Sequence, residues 1–366
     1  MPFPLIAAKG ARRTRFSSQL TMRQSRLKAP KHHPIAYYHC VSRVVDRSFR
    51  LHEEEREMFV RLMRMYERLC QVRVVTYCVL SNHFHVLVEV PRRPDVLPGQ
   101  EEVLRIVQSA FGKSMAWQVR AELEHFRKIG AHTEADAILD GWRNRMWDIS
   151  MFMKSLKQRF TLWFNKKHQR KGTLWEERYR STLVEGGGAV LAMTAAYVDL
   201  NPVRAKLASD PKDYRWCGYA EAVAGGRLAR SGVELVAKAQ LEGRKADGGL
   251  LEHYRCLLFT WGTTSKVNAK GAKKGKICEK DYHRVLQQGG RLSVAEALRC
   301  RVRYFTDGAV IGSRSFVDSI FKTQRRRFGP KRRDGARVMR GFEQGDEREL
   351  CSLRDLKVDV FGPRNV

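Results

Sequence analysis

Val72-Arg-Val-Val-Thr-Tyr-Cys-Val-Leu-Ser-Asn-His-Phe-His-Val-Leu-Val-Glu-Val-Pro91 is the stretch on which the fold turns. Two β-branched, aromatic-rich runs, Val72 to Leu80 and His83 to Val90, flank the polar pair Ser81-Asn82, and Pro91 closes the second run. That pattern predicts a β-hairpin. Alternate residues of a strand share a face, so His83 and His85 point one way while Phe84 points to the other side. Two imidazoles on one face are a candidate metal pair, although His-x-His on a strand also occurs without a metal.

Working outward, Ile35-Ala-Tyr-Tyr-His-Cys-Val-Ser-Arg43 reads as an earlier strand that ends at a polar turn near Asp46. Between it and the hairpin, Met58, Phe59, Leu62, Met65, Tyr66 and Leu69 recur at three-and-four spacing, which predicts an amphipathic helix over Glu53 to Leu69 with acids at its start. After the hairpin come a Pro-rich connection, a helix from Glu101 to about Arg127, and a second helix from Ile149 to His168. The last carries Met153, Leu156, Phe160, Trp163 and Phe164 on one face, and Lys154, Lys157, Arg159, Lys166 and Lys167 on the other. Strand, helix, hairpin, helix is the order of an α+β fold: a ferredoxin-like antiparallel sheet with helices packed on it. The expected organisation is a flexible basic arm (1–31), this domain (32–222), a linker-rich region (223–284), and a basic, mainly helical C-terminal region (285–366).

In that C-terminal region, Ser293 to Arg303 and Ser313 to Phe321 read as helices separated by the turn Thr306-Asp-Gly308, a generic helix-turn-helix pattern. Lys322 to Arg340 follows with nine basic residues and the single acid Asp334.

Charge narrows the partners. The chain has 69 Lys and Arg against 39 Asp and Glu, a formal net charge of +30, which calls for a polyanion. No apolar run reaches the ~20 residues of a spanning helix, and the N-terminus lacks the apolar core of a secretion signal. A cytoplasmic protein that binds nucleic acid and no membrane is the expectation. Eight cysteines without short paired spacing are read as reduced thiols. From Lys154 to Arg180, nine basic residues interleave with Phe160, Trp163, Phe164, Trp175 and Tyr179, a composition suited to single strands, with cations for phosphates and rings for unstacked bases.

Taken in order, Asn82-His83-Phe84-His85, the basic helix, Gly172-Thr-Leu-Trp175-Glu-Glu-Arg178-Tyr, Asp199-Leu-Asn201-Pro-Val-Arg204-Ala and Asp213-Tyr-Arg-Trp216 resemble the single-tyrosine HUH transposases, with the REP-associated tyrosine transposases as the nearest branch. The likeness spans about residues 35 to 220. It implies single-stranded or hairpin DNA as partner, a divalent metal (magnesium or manganese, though two imidazoles also suit zinc or nickel) on His83 and His85 with Asn165 as a third ligand, and a tyrosine that attacks phosphorus to leave a 5′-phosphotyrosine. Aligning the helix motif puts Phe160 where that tyrosine is expected. Tyr179 ranks first as a substitute nucleophile, ahead of Tyr66 and Tyr197, and Phe160→Tyr is the change expected to restore attack. Lys154, Lys157, Arg159, Lys166, Lys167, Arg178 and Arg204 are the candidate DNA contacts. Two rival readings are a domesticated DNA-binding protein that does not cleave, and an RNA-binding protein on the same sheet platform. A homodimer is left open.

Overall fold

The structure, a computed structural model, describes residues 26–30, 32–243, 248–263, 305–306, 308–328, 330, 332–339 and 350–353. Most of the expected basic arm, the Gly- and Lys-rich stretch after Thr263 and the helix read at Ser293 to Arg303 lie outside these residues. The expected order is present: β1 (Ile35–Arg43), α1 (Glu53–Leu69), β2 (Arg73–Val79), β3 (His83–Pro91), α5 (Ile149–Lys167) and β4 (Arg180–Val184). Their sheet runs β2-β3-β1-β4, with β3 antiparallel to both β1 and β2 and β4 antiparallel to β1. This is the ferredoxin-like arrangement.

The single helix over Glu101 to Arg127 is two, α2 (Gln100–Phe111) and α3 (Lys113–Lys128), because Gly112 at φ 91 turns the chain between them. A further helix, α4 (His132–Arg143), completes this insertion. The helix starts follow local chemistry. Asp148 caps α5 by accepting from the Ser150 and Met151 amides, and Glu55 reaches back to the His52 amide at 3.0 Å at the head of α1.

Both faces of the sheet are covered, which is why β2 and β3 are buried along almost their whole length rather than alternating. On one face Tyr38, Cys40, Phe84, Val86 and Val88 meet Phe59 and Met63 of α1 and Phe152, Leu156 and Phe160 of α5. On the other, Val75, Cys78, Leu87 and Val184 meet α6 (Gly188–Asp199), α8 (Gly218–Val223), α9 (Arg227–Leu241) and α10 (Leu250–Thr263). Between α6 and α8 lies the short α7 (Asn201–Arg204).

Residues 227–263, expected within a linker, thus supply two core helices. Gly225-Gly226 marks only the turn before α9, not the end of a domain. Two glycines set this packing. A Cβ on Gly232 of α9 would stand 2.2 Å from the Val75 carbonyl, and one on Gly218 would stand 2.2 Å from Thr76 Oγ1, so the helices approach β2 only because both side chains are absent. The buried Asp199 carboxylate ties the layer together. It accepts from Thr76 at 2.6 Å, Tyr254 at 2.5 Å, the Tyr219 amide at 3.2 Å and Cys217 at 3.4 Å.

The C-terminal segment extends the sheet. β5 (Val310–Gly312) runs parallel to β4, followed by α11 (Arg314–Thr323), β6 (Arg337–Val338) and β7 (Cys351–Leu353), giving β2-β3-β1-β4-β5-β7-β6. Where the sequence suggested a helix-turn-helix, the described residues hold one of its two helices, and a strand follows the expected turn. Val310 and Ile311 are buried between β4 and β7, and that burial overrides the turn-to-helix pattern. The six described cysteines are free and buried, and among the described residues no helix is long and apolar enough to cross a membrane.

Candidate metal and nucleic-acid site

The register fixes what surrounds the histidines. His83 lies opposite Arg43, and His85 opposite Val41 on β1 and Cys78 on β2, so their shared face is the one covered by α6. The His83 and His85 ring centroids are 5.1 Å apart. His83 Nδ1 meets Asn82 Oδ1 at 2.6 Å. Because an amide oxygen only accepts, Nδ1 of His83 carries the proton and its Nε2 keeps a lone pair.

His39, one strand over on the same face, lies edge to edge with His85, ring planes 8° apart and its Nε2 3.0 Å from His85 Nδ1. The other nitrogen of His39 lies 3.0 Å from the Phe305 carbonyl. Burial pushes His39 down to about 4, and pushes His83 down to about 4 with Arg43 reinforcing the effect. Burial, then His83 and His39, drive His85 well below its ordinary value. All three rings are neutral near pH 7, the form in which imidazole binds a metal.

Helix α6 brings Tyr197 onto this cluster. Its ring centroid lies 5.7 Å from those of both His39 and His85, edge to face. Phe305 stacks on it at 4.3 Å, and the Arg204 guanidinium sits 4.2 Å from the ring centroid.

The local sequence explains how one helix presents these groups. Leu200 keeps helical torsions between α6 and α7, and the Leu200 and Arg204 amides bond four residues back, so Tyr197, Asn201 and Arg204 follow one helical face at i, i+4 and i+7. Pro202 has no N–H for the Val198 carbonyl. The Asn201 side-chain amide donates there instead at 3.2 Å, and to the Tyr197 carbonyl at 2.8 Å. Asn201-Pro202, read from sequence as a helix stop, is therefore a continuation of the helix. With its NH2 committed, Asn201 keeps an oxygen as its remaining polar end, a donor suited to a hard cation.

The expected residues on α5 lie elsewhere. Phe160 is fully buried among Phe59, Trp163, Phe164 and Trp175, on the Phe84 side of the sheet. Tyr179 packs in that same core, under the Arg26 guanidinium at 3.5 Å, with burial pushing its phenol up. Tyr66 is in that core as well.

Asn165 donates to the Gly172 carbonyl at 2.8 Å at the end of α5, a helix packed on the sheet face opposite His83 and His85. Lys157 is enclosed, donating to Ser42 at 2.7 Å and the Glu177 carbonyl at 3.0 Å, with burial pushing it down to about 7. Lys167 pairs with Glu54 and Glu55. Lys154, Arg159, Lys166 and Arg178 are exposed on the far side from the histidines. Of the expected DNA contacts, only Arg204 stands on the histidine face. Arg43, opposite His83, and Arg180, opposite Val41, join it there. Sequence reasoning passed over Arg43, Arg180, His39 and Asn201, and ranked Tyr197 below Tyr179. The i, i+4, i+7 spacing of Tyr197, Asn201 and Arg204 was the signal for the helix.

One face of the sheet thus carries a histidine pair, a tyrosine and the arginines Arg43, Arg180 and Arg204. Residues 34–129 match the family "Transposase IS200 like". A solved structure described as a REP-associated tyrosine transposase bound to a REP hairpin is similar at 13% identity, over 56% of this chain and 87% of that one, with a TM-score of 0.35. No curated protein matches.

The metal expected of such a domain can be tested against the donor set. Among the described residues no cluster of three or more His, Cys, Asp or Glu forms a cation site. The donors at hand are two neutral imidazoles, of which His83 offers the Nε2 lone pair. Two neutral imidazoles fit a divalent ion that takes its remaining ligands from water or substrate.

Proposed function

We propose that this chain binds single-stranded or hairpin DNA on the histidine face of the sheet and transfers strands there by covalent attack, with Tyr197 as nucleophile. The observation that carries the reading is the placement of Tyr197 against His85 on one face, while Phe160 and Tyr179 lie beneath the opposite face. His83 and His85 would hold a divalent cation through Nε2, with Asn201 as the oxygen donor in place of Asn165. Bound there, the cation would withdraw charge from the scissile phosphate oxygens.

The chain's own groups do the rest. Arg43, Arg180 and Arg204 hold the phosphodiester backbone. The Tyr197 oxygen loses its proton and bonds to phosphorus, the bond from phosphorus to the 3′-oxygen breaks, and that oxygen leaves as a hydroxyl after taking up a proton. The 5′-phosphotyrosine conserves the bond energy for rejoining.

One observation favours a second reading, a binder that does not cleave. Tyr197 is only 2% exposed and lies under Phe305, so a phosphate reaches it only if the Phe305 segment moves aside.

A denaturing gel with end-labelled hairpin DNA and magnesium or manganese separates the readings. A covalent adduct in the wild type that Tyr197→Phe removes, with hairpin affinity unchanged, supports transfer. An adduct that persists in Tyr197→Phe overturns this nucleophile, and tight binding without any adduct supports the second reading. Preference for an RNA hairpin of the same sequence would move the partner from DNA to RNA.

A further inference from the structure

We propose that His39 is a positioning residue that fixes the tautomer of His85, through a relay anchored on the backbone of the C-terminal segment. This deepens the metal reading of His83 and His85 and rests on it for its consequence, but the relay itself is a matter of hydrogen-bond polarity.

The chain of contacts allows one assignment. A carbonyl oxygen only accepts, so His39 Nδ1, 3.0 Å from the Phe305 carbonyl, is the nitrogen that carries the proton. In the neutral imidazole His39 Nε2 is then an acceptor. His85 Nδ1, 3.0 Å from it, must therefore donate, which leaves His85 Nε2 as a lone pair. The two ring planes are 8° apart with centroids 5.2 Å apart, the nearly coplanar alignment that an in-plane N–H···N bond requires. His39 is fully buried and His85 nearly so, so solvent does not compete for either nitrogen.

The anchor is also fixed. Thr182, directly opposite His39 on β4, shares its single hydroxyl proton between the Gly308 carbonyl at 2.8 Å and the Phe305 carbonyl at 3.2 Å. Residues 266 positions away in sequence, and outside the stretch that matches the transposase family, thereby decide which nitrogen of His85 faces the site. Groups that orient a metal-binding histidine in this way commonly change metal affinity by about 10- to 100-fold when removed.

Two variants test the role. His39→Phe fills the space but ends the relay. His39→Gln keeps a donor for the carbonyl and an acceptor for His85. Long-range nitrogen-15 spectra of metal-free protein report the tautomer directly, and titration with manganese, without DNA, reports affinity.

The expected result is an Nδ1–H His85 in the wild type and in His39→Gln, and an Nε2–H His85 in His39→Phe. Manganese affinity in His39→Phe should fall about 10- to 100-fold, with His39→Gln within a few-fold of wild type. An Nε2–H His85 in the wild type, or an unchanged tautomer in folded His39→Phe, overturns the proposal. A wild type with the expected tautomer that takes up no manganese would sink the metal reading while leaving the relay standing, so the two failures read differently.

Discussion

At Phe160 and Tyr197 the same ring meets two environments. Phe160 is enclosed by four aromatic side chains, so a hydroxyl there has no partner and costs about 1–3 kcal/mol. Phe160→Tyr should lower the melting temperature by several degrees and create no DNA adduct; a gain of adduct would return the nucleophile to α5. Asp199 is the other residue whose burial makes a measurable demand. Burial pushes its carboxyl from 3.8 up to about 6. A carboxyl with a raised folded-state pKa is more stable protonated, so its contribution is fully present below pH 4 and is lost as pH rises through about 6. The loss approaches about 3 kcal/mol, at 1.36 kcal/mol per unit. His39, His83 and His85, lowered by burial, give the opposite slope over the same range, so the readout is a difference: in denaturant melts from pH 4 to 7 the wild type should lose about 3 kcal/mol relative to Asp199→Asn, and a constant difference would refute the raised carboxyl.

Among the elements, α9 and the C-terminal strands show how the histidine face is closed. Helix α9 rests on β2 with no room for a Cβ at Gly232. Gly232→Ala should therefore cost about 1–3 kcal/mol through forced separation of helix and strand, read as an earlier urea midpoint with unchanged slope. Phe305 lies over Tyr197. If its ring gates the tyrosine, Phe305→Ala should raise adduct yield or tyrosine nitration without weakening the fold severely, and identical modification rates would refute the gate.

For the whole molecule, the excess of 69 basic over 39 acidic residues makes binding to a polyanion strongly salt-dependent, with a logarithmic slope of about −0.7 per single-strand phosphate neutralised. The two sheet faces make this a positional test. Arg43→Gln, beside His83, should reduce the slope by about 0.7, while Lys166→Gln, on the far layer, should leave it nearly unchanged. The reverse result would place DNA on α5. Deleting residues 322–366 is a poor probe of charge, because it also removes β6 and β7 from the sheet.

What the sequence determined by itself was local: strand alternation that put His83 and His85 on one side, the helix periods of α1 and α5, the succession of strand, helix, hairpin and helix, and the charge that calls for a polyanion. Each depends on residues within a few positions of one another, or on composition. Which face of the sheet a helix covers is not local, and only the tertiary structure decided it. Periodicity marked Phe160 as part of an apolar stripe but not which core received it. Pro202 suggested a stop, yet the Asn201 amide takes up the Val198 carbonyl that proline leaves without a donor, and the helix carries Tyr197, Asn201 and Arg204 onward together. The Phe305 carbonyl reaches His39 across 266 residues. No period records such a contact, because long-range hydrogen bonds follow from how the layers stack rather than from the order of the residues that make them.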